Sequence, residues 1–496
     1  MLSLLYNENS PCGSIGERTL YHLSLDRAFK YIYTNPDADG AEKEYFFKVL
    51  SEPLLKKMDI IYRQDIIKDF LKNPELLTGL NKYFSRLREL KKEHKSSRME
   101  KLRVKSNSIF RDDVVVASNI MNISALNLKK SLILLKAISE FFQSFYISSE
   151  GLKKLSDSVL RICRPDEFAE LVKTCTFFEN FTIQGSINLA LAFGETGQVS
   201  RCELIPRDSV FVTDVSLQRK KKWFSKKEEQ PVYPAVDFNA HEDISVVTTI
   251  RSEALYKLSA YFESISEQIF QKYSGFCKEL QFYITAVKYC RAVSAKGCPL
   301  TFPEISETGE DRINALRDLL LVLQTEPTAA EPGTAEKVVP NNFCIKPTDN
   351  GSVCFGKNGS GKTVFVRSVG TARLLAQAGL PVPAESAVIA CYDLLLTQFS
   401  EAEKGLKSGI DAGRFEQEVS EIAEMLERVT GNAFVIFNET FQSTSYDEGA
   451  EGLAEILKYI SSLNSKWVLV SHMHQIKEFL PDNTVFLTAG ENFVIK

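Results

Sequence analysis

The segment best suited to carry out chemistry is a glycine-rich octapeptide, Gly356-Lys-Asn-Gly-Ser-Gly-Lys-Thr363. A short apolar run, Ser352-Val-Cys-Phe355, precedes it, and the following residues predict a helix through Leu375. The pattern G-x-x-x-x-G-K-[ST] between a strand and a helix is typical of a phosphate-binding loop. Backbone N–H groups of such a loop surround phosphates, and glycine permits the close approach. We therefore predict nucleotide binding, with Lys362 neutralising phosphate charge and Thr363 offering its hydroxyl to Mg²⁺.

Two further apolar strands are expected to end in polar side chains beside this loop. Ala433-Phe-Val-Ile-Phe437 leads into Asn438 and Glu439, where acidic residues would ligate Mg²⁺ and polarise a water. The carbonyl of Asn438 can orient a metal-bound water but lacks the charge of a carboxylate. Lys466-Trp-Val-Leu-Val470 leads into His472, which alone would more often be a structural histidine. At the carboxyl edge of a nucleotide-binding sheet, we expect it to contact phosphate or water.

The elements that must position these residues change along the chain. Three-to-four spacing of apolar residues predicts helices from residue 1 to about 180, and alternation predicts short strands within about 181–250. Ser252 to Ser294 predicts one long helix, a lever or coiled-coil arm, with Gly275 as its weak point. After Pro340, short strands alternate with helices. We predict a multidomain chain: an α-helical domain (1–300) with a small β-containing insertion (about 181–250), a linker (301–338), and a C-terminal α/β nucleotide-binding domain (339–496).

Composition points to an ordinary soluble protein of several domains. The chain has 496 residues, 44% of them hydrophobic, and a net charge of −4, which is not the charge of a typical nucleic-acid binder. The ten cysteines form no CxxC pair, and no apolar run is long enough to span a membrane. We expect a cytoplasmic location.

Two basic segments leave nucleic-acid binding open despite the acidic balance. The first, 86–105, is more often typical of a solvated helix face than of a phosphate-contacting surface. The second contains Trp223 and Phe224 among cations, which suits either a loop that touches DNA or a solvated loop with its aromatics on a core. Its candidate DNA-binding residues are Arg219, Lys220, Lys221, Lys222, Lys226 and Lys227.

The C-terminal part of the sequence resembles the ATPase domain of the MutS family of DNA mismatch-repair proteins. The phosphate loop has the family's Asn at Asn358, and the next helix ends in a similar turn at Ala378-Gly-Leu-Pro-Val-Pro-Ala384. Asn438-Glu439 and Ser443-Thr-Ser445 occupy the places of the family's Asp-Glu and Ser-Thr-Ser, and His472 matches its histidine. Upstream, 63–75 and the long helix ending near Cys298 resemble the helical core and lever. The resemblance implies that ATP is the nucleotide, that 1–300 is an α-helical core and lever domain, and that 339–496 is an α/β P-loop ATPase domain of ABC type.

The resulting candidate site has three groups of residues. Catalysis is assigned to Glu439 and His472, and metal binding to Thr363, Asn438 and Glu439. The predicted nucleotide-binding residues are Gly356, Asn358, Gly359, Ser360, Gly361, Lys362, Thr363, Ser443, Thr444 and Ser445.

Several departures from the family pattern predict altered activity. The sequence begins at the family's core domain, so we expect no direct mismatch reading by a Phe-x-Glu wedge. The signature loop, Ala412-Gly-Arg-Phe415, lacks the Ser/Thr pair, and Val338 stands where relatives often place an aromatic against adenine. The sequence also ends soon after the His472 strand, without the helices that help clasp an ATPase dimer. Together with Asn438, these features predict weak ATP hydrolysis.

Three functional hypotheses follow. The first is a MutS-like, DNA-associated ATPase that works as a homodimer or heterodimer through its ATPase domain in repair or recombination of duplex or branched DNA. The second is a nucleotide-gated dimerisation or regulatory module with a decayed ATPase and no DNA role. The third is another chromosome-maintenance ATPase with coiled-coil arms; the long helix permits it, but the Val-Pro-Ala turn and the Ser-Thr-Ser order favour the MutS-like hypothesis over it.

Overall fold

The computed structural model describes residues 2–7, 10–33, 40–106, 113–179, 181, 189–193, 199–204, 211–212, 233–234, 241–325, 338–400, 411–429, 431–441 and 446–496. The contacts divide the chain into two compact units. The sheet unit comprises Met1–Thr78, Phe145–Leu155 and Lys278–Lys496, and the helical unit comprises Gly79–Ser144 and Ser156–Cys277.

The described helices account for most of the N-terminal half. In chain order they are α1 (Thr19–His22), α2 (Leu25–Phe29), α3 (Gly40–Leu50), α4 (Lys57–Lys72), α5 (Pro74–Ser106), α6 (Asp113–Gln143), α7 (Glu150–Ile162), α8 (Pro165–Glu179), α9 (His241–Tyr273), α10 (Phe276–Ala295), α11 (Leu319–Gln324), α12 (Lys362–Gln377), α13 (Asp411–Arg428) and α14 (Tyr446–Ser462). Short 3₁₀ helices cover His474–Glu478 and Glu491–Phe493.

The described strands lie mainly in the C-terminal half. They are β1 (Ser14–Ile15), β2 (Leu189–Phe193), β3 (Val199–Leu204), β4 (Phe211–Val212), β5 (Tyr233–Pro234), β6 (Glu304–Ser306), β7 (Asp311–Leu316), β8 (Asn341–Ile345), β9 (Gly351–Phe355), β10 (Ser386–Ala390), β11 (Leu394–Phe399), β12 (Ala433–Asn438), β13 (Lys466–Val470) and β14 (Thr484–Thr488).

In the described part of the sheet unit, the larger sheet has the strand order β1-β11-β12-β13-β9-β14, and every pairing is parallel. Its central strands are continuous apolar runs, as expected for a parallel sheet that is covered on both faces. All six residues of β12 are buried, and its core includes Trp467 and residues of α13 and α14. Because β9, β12 and β13 are adjacent and parallel, the residues after them meet at one edge. The prediction of a parallel α/β sheet after Pro340 is therefore confirmed.

A smaller mixed sheet in the same unit has the order β6-β10-β7-β8. Strand β6 pairs parallel with β10, and β7 pairs antiparallel with both β10 and β8. A buried ion pair stabilises this region: Arg373 on α12 lies 2.6 Å from Asp311 on β7 and stacks on Phe434. Helix α12 thus contacts both sheets.

The compact units follow different boundaries from the predicted domains. Residues Met1–Thr78 belong with the sheet unit because β1 pairs with β11 and because Gln377, at the end of α12, bonds the backbone of Leu54. The predicted linker 301–338 contains β6, β7 and α11, since its apolar residues are buried in the smaller sheet and beside α2. The proposed domain division at 300 and 338 stays a prediction.

The helical unit is built around long helices. Within it, α6 packs against α8 and α9, and β2 and β3 form an antiparallel pair inside the predicted β-containing insertion. The long helix expected over 252–294 is two helices, because α9 ends at Tyr273 and α10 begins at Phe276. The break falls at Gly275, the predicted weak point, where glycine's backbone entropy disfavours a helix. Among the helices that the structure describes, none combines the length and apolar character that crossing a membrane requires.

Candidate functional site

The glycine-rich segment forms a tight loop between β9 and α12. Gly356 has φ 155° and Gly361 has φ 89°, conformations that side chains disfavour. A Cβ on Gly356 would lie 2.7 Å from the Cβ of Ala489, so the loop also needs glycine for space. Gly361 is the N-cap of α12, and the first backbone N–H groups of this helix therefore open into the loop. This is the strand–loop–helix arrangement that the sequence predicted.

Lys362 is folded back onto this loop. Its Nζ donates hydrogen bonds to the carbonyl oxygens of Gly356 and Lys357, both at 2.9 Å. Burial lowers the pKa of Lys362, while the carboxylate of Glu439 acts in the opposite direction. The ammonium group is thus partly desolvated and held by two neutral acceptors, which an incoming anion can replace favourably.

Glu439 and His472 meet at the carboxyl edge of the parallel sheet. Nε2 of His472 lies 2.9 Å from Oε1 of Glu439, although the two residues are 33 positions apart. Glu439 has a left-handed backbone (φ 58°), fixed by a hydrogen bond from its N–H to the carbonyl of Val470. Strained non-glycine residues of this kind tend to occur at functional sites. A carboxylate oriented by an imidazole can accept a proton from a nearby water.

Asn438 and Ser360 each carry a buried polar atom that has no hydrogen-bond partner in the part of the chain that the structure describes. Oδ1 of Asn438, which is 5% exposed, and Oγ of Ser360 accept or donate no hydrogen bond among the described residues. An unsatisfied buried oxygen is costly, and a ligand, ion or water that pairs with it removes the cost. The amide oxygen of Asn438, the hydroxyl of Thr363 and the carboxylate of Glu439 are all oxygen donors of the type that Mg²⁺ prefers. The donor set therefore fits a nucleotide-bound Mg²⁺.

A cavity of about 540 Å³ opens beside these groups. Its lining combines the glycine-rich loop and Glu439 with apolar side chains such as Val338 and Phe493. The full set of lining residues is Leu316, Asp318, Leu321, Gln324, Thr325, Val338, Val339, Asn341, Gly359, Gly361, Lys362, Thr363, Val364, Phe365, Ser368, Glu439 and Phe493. A cavity lined by both phosphate-type donors and apolar side chains matches the chemistry of a nucleotide.

Phe493 is a site residue that the sequence did not indicate. Its ring lies against the phosphate loop, since a Cβ on Gly361 would be 3.3 Å from its Cδ1. Asn341 fixes the turn by donating to the Phe493 carbonyl at 3.2 Å and accepting from the N–H of Ile495 at 2.7 Å. Phe493 and Asn492 both have positive φ, and Phe493 stays 54% exposed. The ring of Phe493 thus gives the cavity a flat aromatic surface. Val338, which is aliphatic, gives it an apolar surface but not a flat one.

The structure brings some of the predicted residues together and leaves others undescribed. Gly359, Gly361, Lys362, Thr363 and Glu439 line the same cavity, and His472 is hydrogen-bonded to Glu439. Gly356, Asn358 and Ser360 lie in the glycine-rich loop after β9, and Asn438 is the last residue of β12. The predicted Ser443, Thr444 and Ser445 lie outside the described residues, as do Arg219, Lys220, Lys221, Lys222, Lys226 and Lys227. Residues 412–415 lie in the first turns of α13 rather than in a loop.

Comparisons with known proteins match both parts of the chain. A family model described as MutS domain V matches residues 352–487, and one described as MutS2 N-terminal domain matches residues 56–296. The fold and site define an α/β protein with a candidate phosphate site at the carboxyl edge of a parallel sheet, joined to a largely helical region. The chain belongs to the MutS family, which confirms the resemblance drawn from the sequence.

Individual relatives match only parts of the chain. It is 30% identical over 160 residues to an endonuclease MutS2 of Alkaliphilus metalliredigens, covering 32% of this chain and 20% of the relative. It is 27% identical over 150 residues to a mitochondrial DNA mismatch repair protein mutS homolog of Sarcophyton glaucum, covering 30% and 15%. Over 207 residues it is 25% identical to the DNA mismatch repair protein MutS of Lactobacillus johnsonii, covering 40% and 24%. The matches therefore span about a quarter or less of these relatives' lengths.

Proposed function

We propose that this chain is a DNA-associated ATPase that binds Mg²⁺ and ATP at the cavity beside α12 and hydrolyses ATP weakly. The observation that carries the proposal is the one cavity that Gly359, Gly361, Lys362, Thr363 and Glu439 line together. Phosphate-type donors, a candidate base and apolar side chains therefore face the same space.

Each residue has a separate role in the proposed reaction. Lys362 leaves the carbonyls of Gly356 and Lys357 and pairs with phosphate oxygens. Thr363 and Asn438 offer oxygen ligands to Mg²⁺, which supplies positive charge against the phosphates when bound. Glu439 accepts a proton from the attacking water, and His472 holds the carboxylate in place. Phe493 gives the base a stacking surface.

The slow rate in this proposal follows from Asn438. Because an amide carries no net charge, it holds Mg²⁺ less firmly than a carboxylate would at the same position. Binding is therefore expected to be retained while turnover is low.

A DNA role is supported by the names of the relatives rather than by the described geometry, and dimerisation follows only from the family resemblance of the sequence. The matched relatives carry the names DNA mismatch repair protein and endonuclease. We infer that two ATPase domains pair head to tail and that nucleotide state alters the helices that contact duplex or branched DNA. A cytoplasmic location is the corresponding expectation.

The experiment measures ATP hydrolysis by the full chain with and without duplex and branched DNA, and light scattering with and without ATP. The proposal predicts slow hydrolysis that DNA changes, an ATP-dependent rise in mass, and loss of both in Lys362→Ala. ATP-dependent dimerisation without any effect of DNA would favour the regulatory module instead. Equal behaviour of wild type and Lys362→Ala in both assays would refute the proposal.

A further inference from the structure

Helix α11 forms one wall of the nucleotide cavity. Leu321, Gln324 and the following Thr325 line the cavity. The remaining side chains of this short helix, among them Leu320 and Leu323, are buried, and the helix packs against α2. A ligand in the cavity therefore contacts one side of α11 while the protein core holds the other side.

An ion pair links the beginning of α11 to α12, the helix that follows the glycine-rich loop. Nε and Nη2 of Arg367 donate to the two carboxylate oxygens of Asp318, each at 2.8 Å. The same carboxylate caps α11 by accepting the N–H of Leu321 at 2.9 Å. Both side chains are largely buried, at 12% and 3% exposure. Arg367 lies one turn after Thr363 on α12, so the position of the phosphate-loop helix determines where α11 begins.

A hydrogen bond links the end of α11 to the end of α10. The Nζ of Lys296 donates a hydrogen bond to the carbonyl oxygen of Thr325, the C-cap of α11. Lys296 immediately follows Ala295, the last residue of α10. A cation at a helix C-terminus is favourable because carbonyl groups there lack helical partners. Helix α11 is therefore linked to α12 at one end and to α10 at the other.

We propose that α11 couples nucleotide binding in the cavity to the conformation of the last turn of α10. Arg367 and Lys296 are the positioning residues that link α11 to its neighbours. The proposal rests on the nucleotide site proposed above. A bound nucleotide favours the arrangement of α11 in which Leu321 and Gln324 contact it, and it shifts the protein only through that difference in affinity. Because α11 has few residues and is capped at both ends, its displacement reaches Lys296 rather than being absorbed within the helix.

Hydrogen exchange of the full chain with and without Mg·ATP tests the coupling. In the wild type we expect slower exchange in the phosphate loop, in α11 and in the last turn of α10. Lys296→Met is expected to keep the first two changes and lose the third. The matched control is Lys288→Met within α10, where the ammonium pairs with Glu42 instead; it is expected to behave as the wild type.

Measurements of nucleotide affinity test the ion pair between Arg367 and Asp318. Arg367→Gln is expected to raise the Kd for ATP about tenfold while the phosphate loop is still protected at saturating nucleotide. Arg367→Lys retains the charge without the paired geometry and is expected to recover part of the affinity. Asp318→Asn retains a cap acceptor and weakens the ion pair, and gives a second measurement if Arg367→Gln folds poorly.

The possible failures can be told apart. An unprotected phosphate loop in the wild type would overturn the nucleotide site and the coupling with it. A protected loop with no change in α10 would overturn the coupling alone, as would identical exchange in Lys296→Met and Lys288→Met. Wild-type affinity in both Arg367→Gln and Asp318→Asn would overturn the role of the ion pair.

Discussion

Asn438→Asp places a carboxylate where the structure has an unsatisfied amide oxygen. Asn438 is 5% exposed, its Oδ1 has no partner among the described residues, and Glu439 follows directly. Without a cation, the new carboxylate would be buried beside another acid. With Mg²⁺, the same carboxylate would be a stronger ligand than the amide. The substitution should therefore destabilise the metal-free protein and make its stability depend on Mg²⁺.

The expected loss in unfolding free energy is limited by protonation of the buried acid. An ionised carboxylate would be destabilised by desolvation. Protonating it at pH 7 instead costs at most about 4 kcal/mol, starting from a reference pKa near 3.9. We expect a loss of roughly 2–4 kcal/mol in unfolding free energy with EDTA. Millimolar Mg²⁺ should restore most of it, because binding to the native state alone raises stability. Mg-dependent ATP hydrolysis should also rise above that of the wild type.

Thermal unfolding with EDTA and with Mg²⁺ measures this effect. The control is Asn464→Asp at an exposed position, which we expect to change stability by no more than about 0.5 kcal/mol in either condition. An Asn438→Asp protein with the same loss in EDTA and in Mg²⁺, or with no loss in either, would refute the assignment of Asn438 to the metal site.

Three other substitutions test separate parts of the account. Phe493→Ala should weaken ATP binding about tenfold, since stacking on a base is worth about 1–3 kcal/mol; Phe486→Ala, half exposed and outside the cavity lining, should not. His472→Asn should lower kcat about a hundredfold with little change in the Kd for ATP, measured by single-turnover hydrolysis and binding titration. Asp69→Asn should lower Tm at neutral pH. Although burial opposes this, hydrogen bonds from Ser148 and Ser149 lower the pKa of Asp69. The stability it adds is present above about pH 4 and is lost as pH falls through the lower folded pKa, so the Tm difference should shrink in acid.

The local parts of the site were predictable because their signals are local. Gly356, Gly361 and Lys362 lie within one octapeptide whose glycines and cation are dictated by phosphate chemistry. The apolar strands ending at Asn438 and Val470 predicted a shared sheet edge, and the contact between Glu439 and His472 lies at that edge. The roles assigned to these residues remain predictions.

The parts that the sequence did not indicate depend on contacts between distant segments. Phe493 reaches Gly361 from 132 positions further along, through a turn of two positive-φ residues that no local preference favours. The pairing of Ser14–Ile15 with β11 is equally hidden, because a two-residue strand has no readable alternation. Asp318 and Arg367 sit in segments that were assigned to a linker and to a helix, and only the fold makes them a pair.

The most direct measurement is calorimetric titration of ATP into the full-length wild type and Lys362→Ala, in Mg²⁺ and in EDTA. The account predicts saturable binding by the wild type that tightens with Mg²⁺, and an affinity at least about a hundredfold lower in Lys362→Ala at unchanged thermal stability. Equal affinities for the two proteins, or no binding heat in the wild type when Mg²⁺ is present, would contradict it.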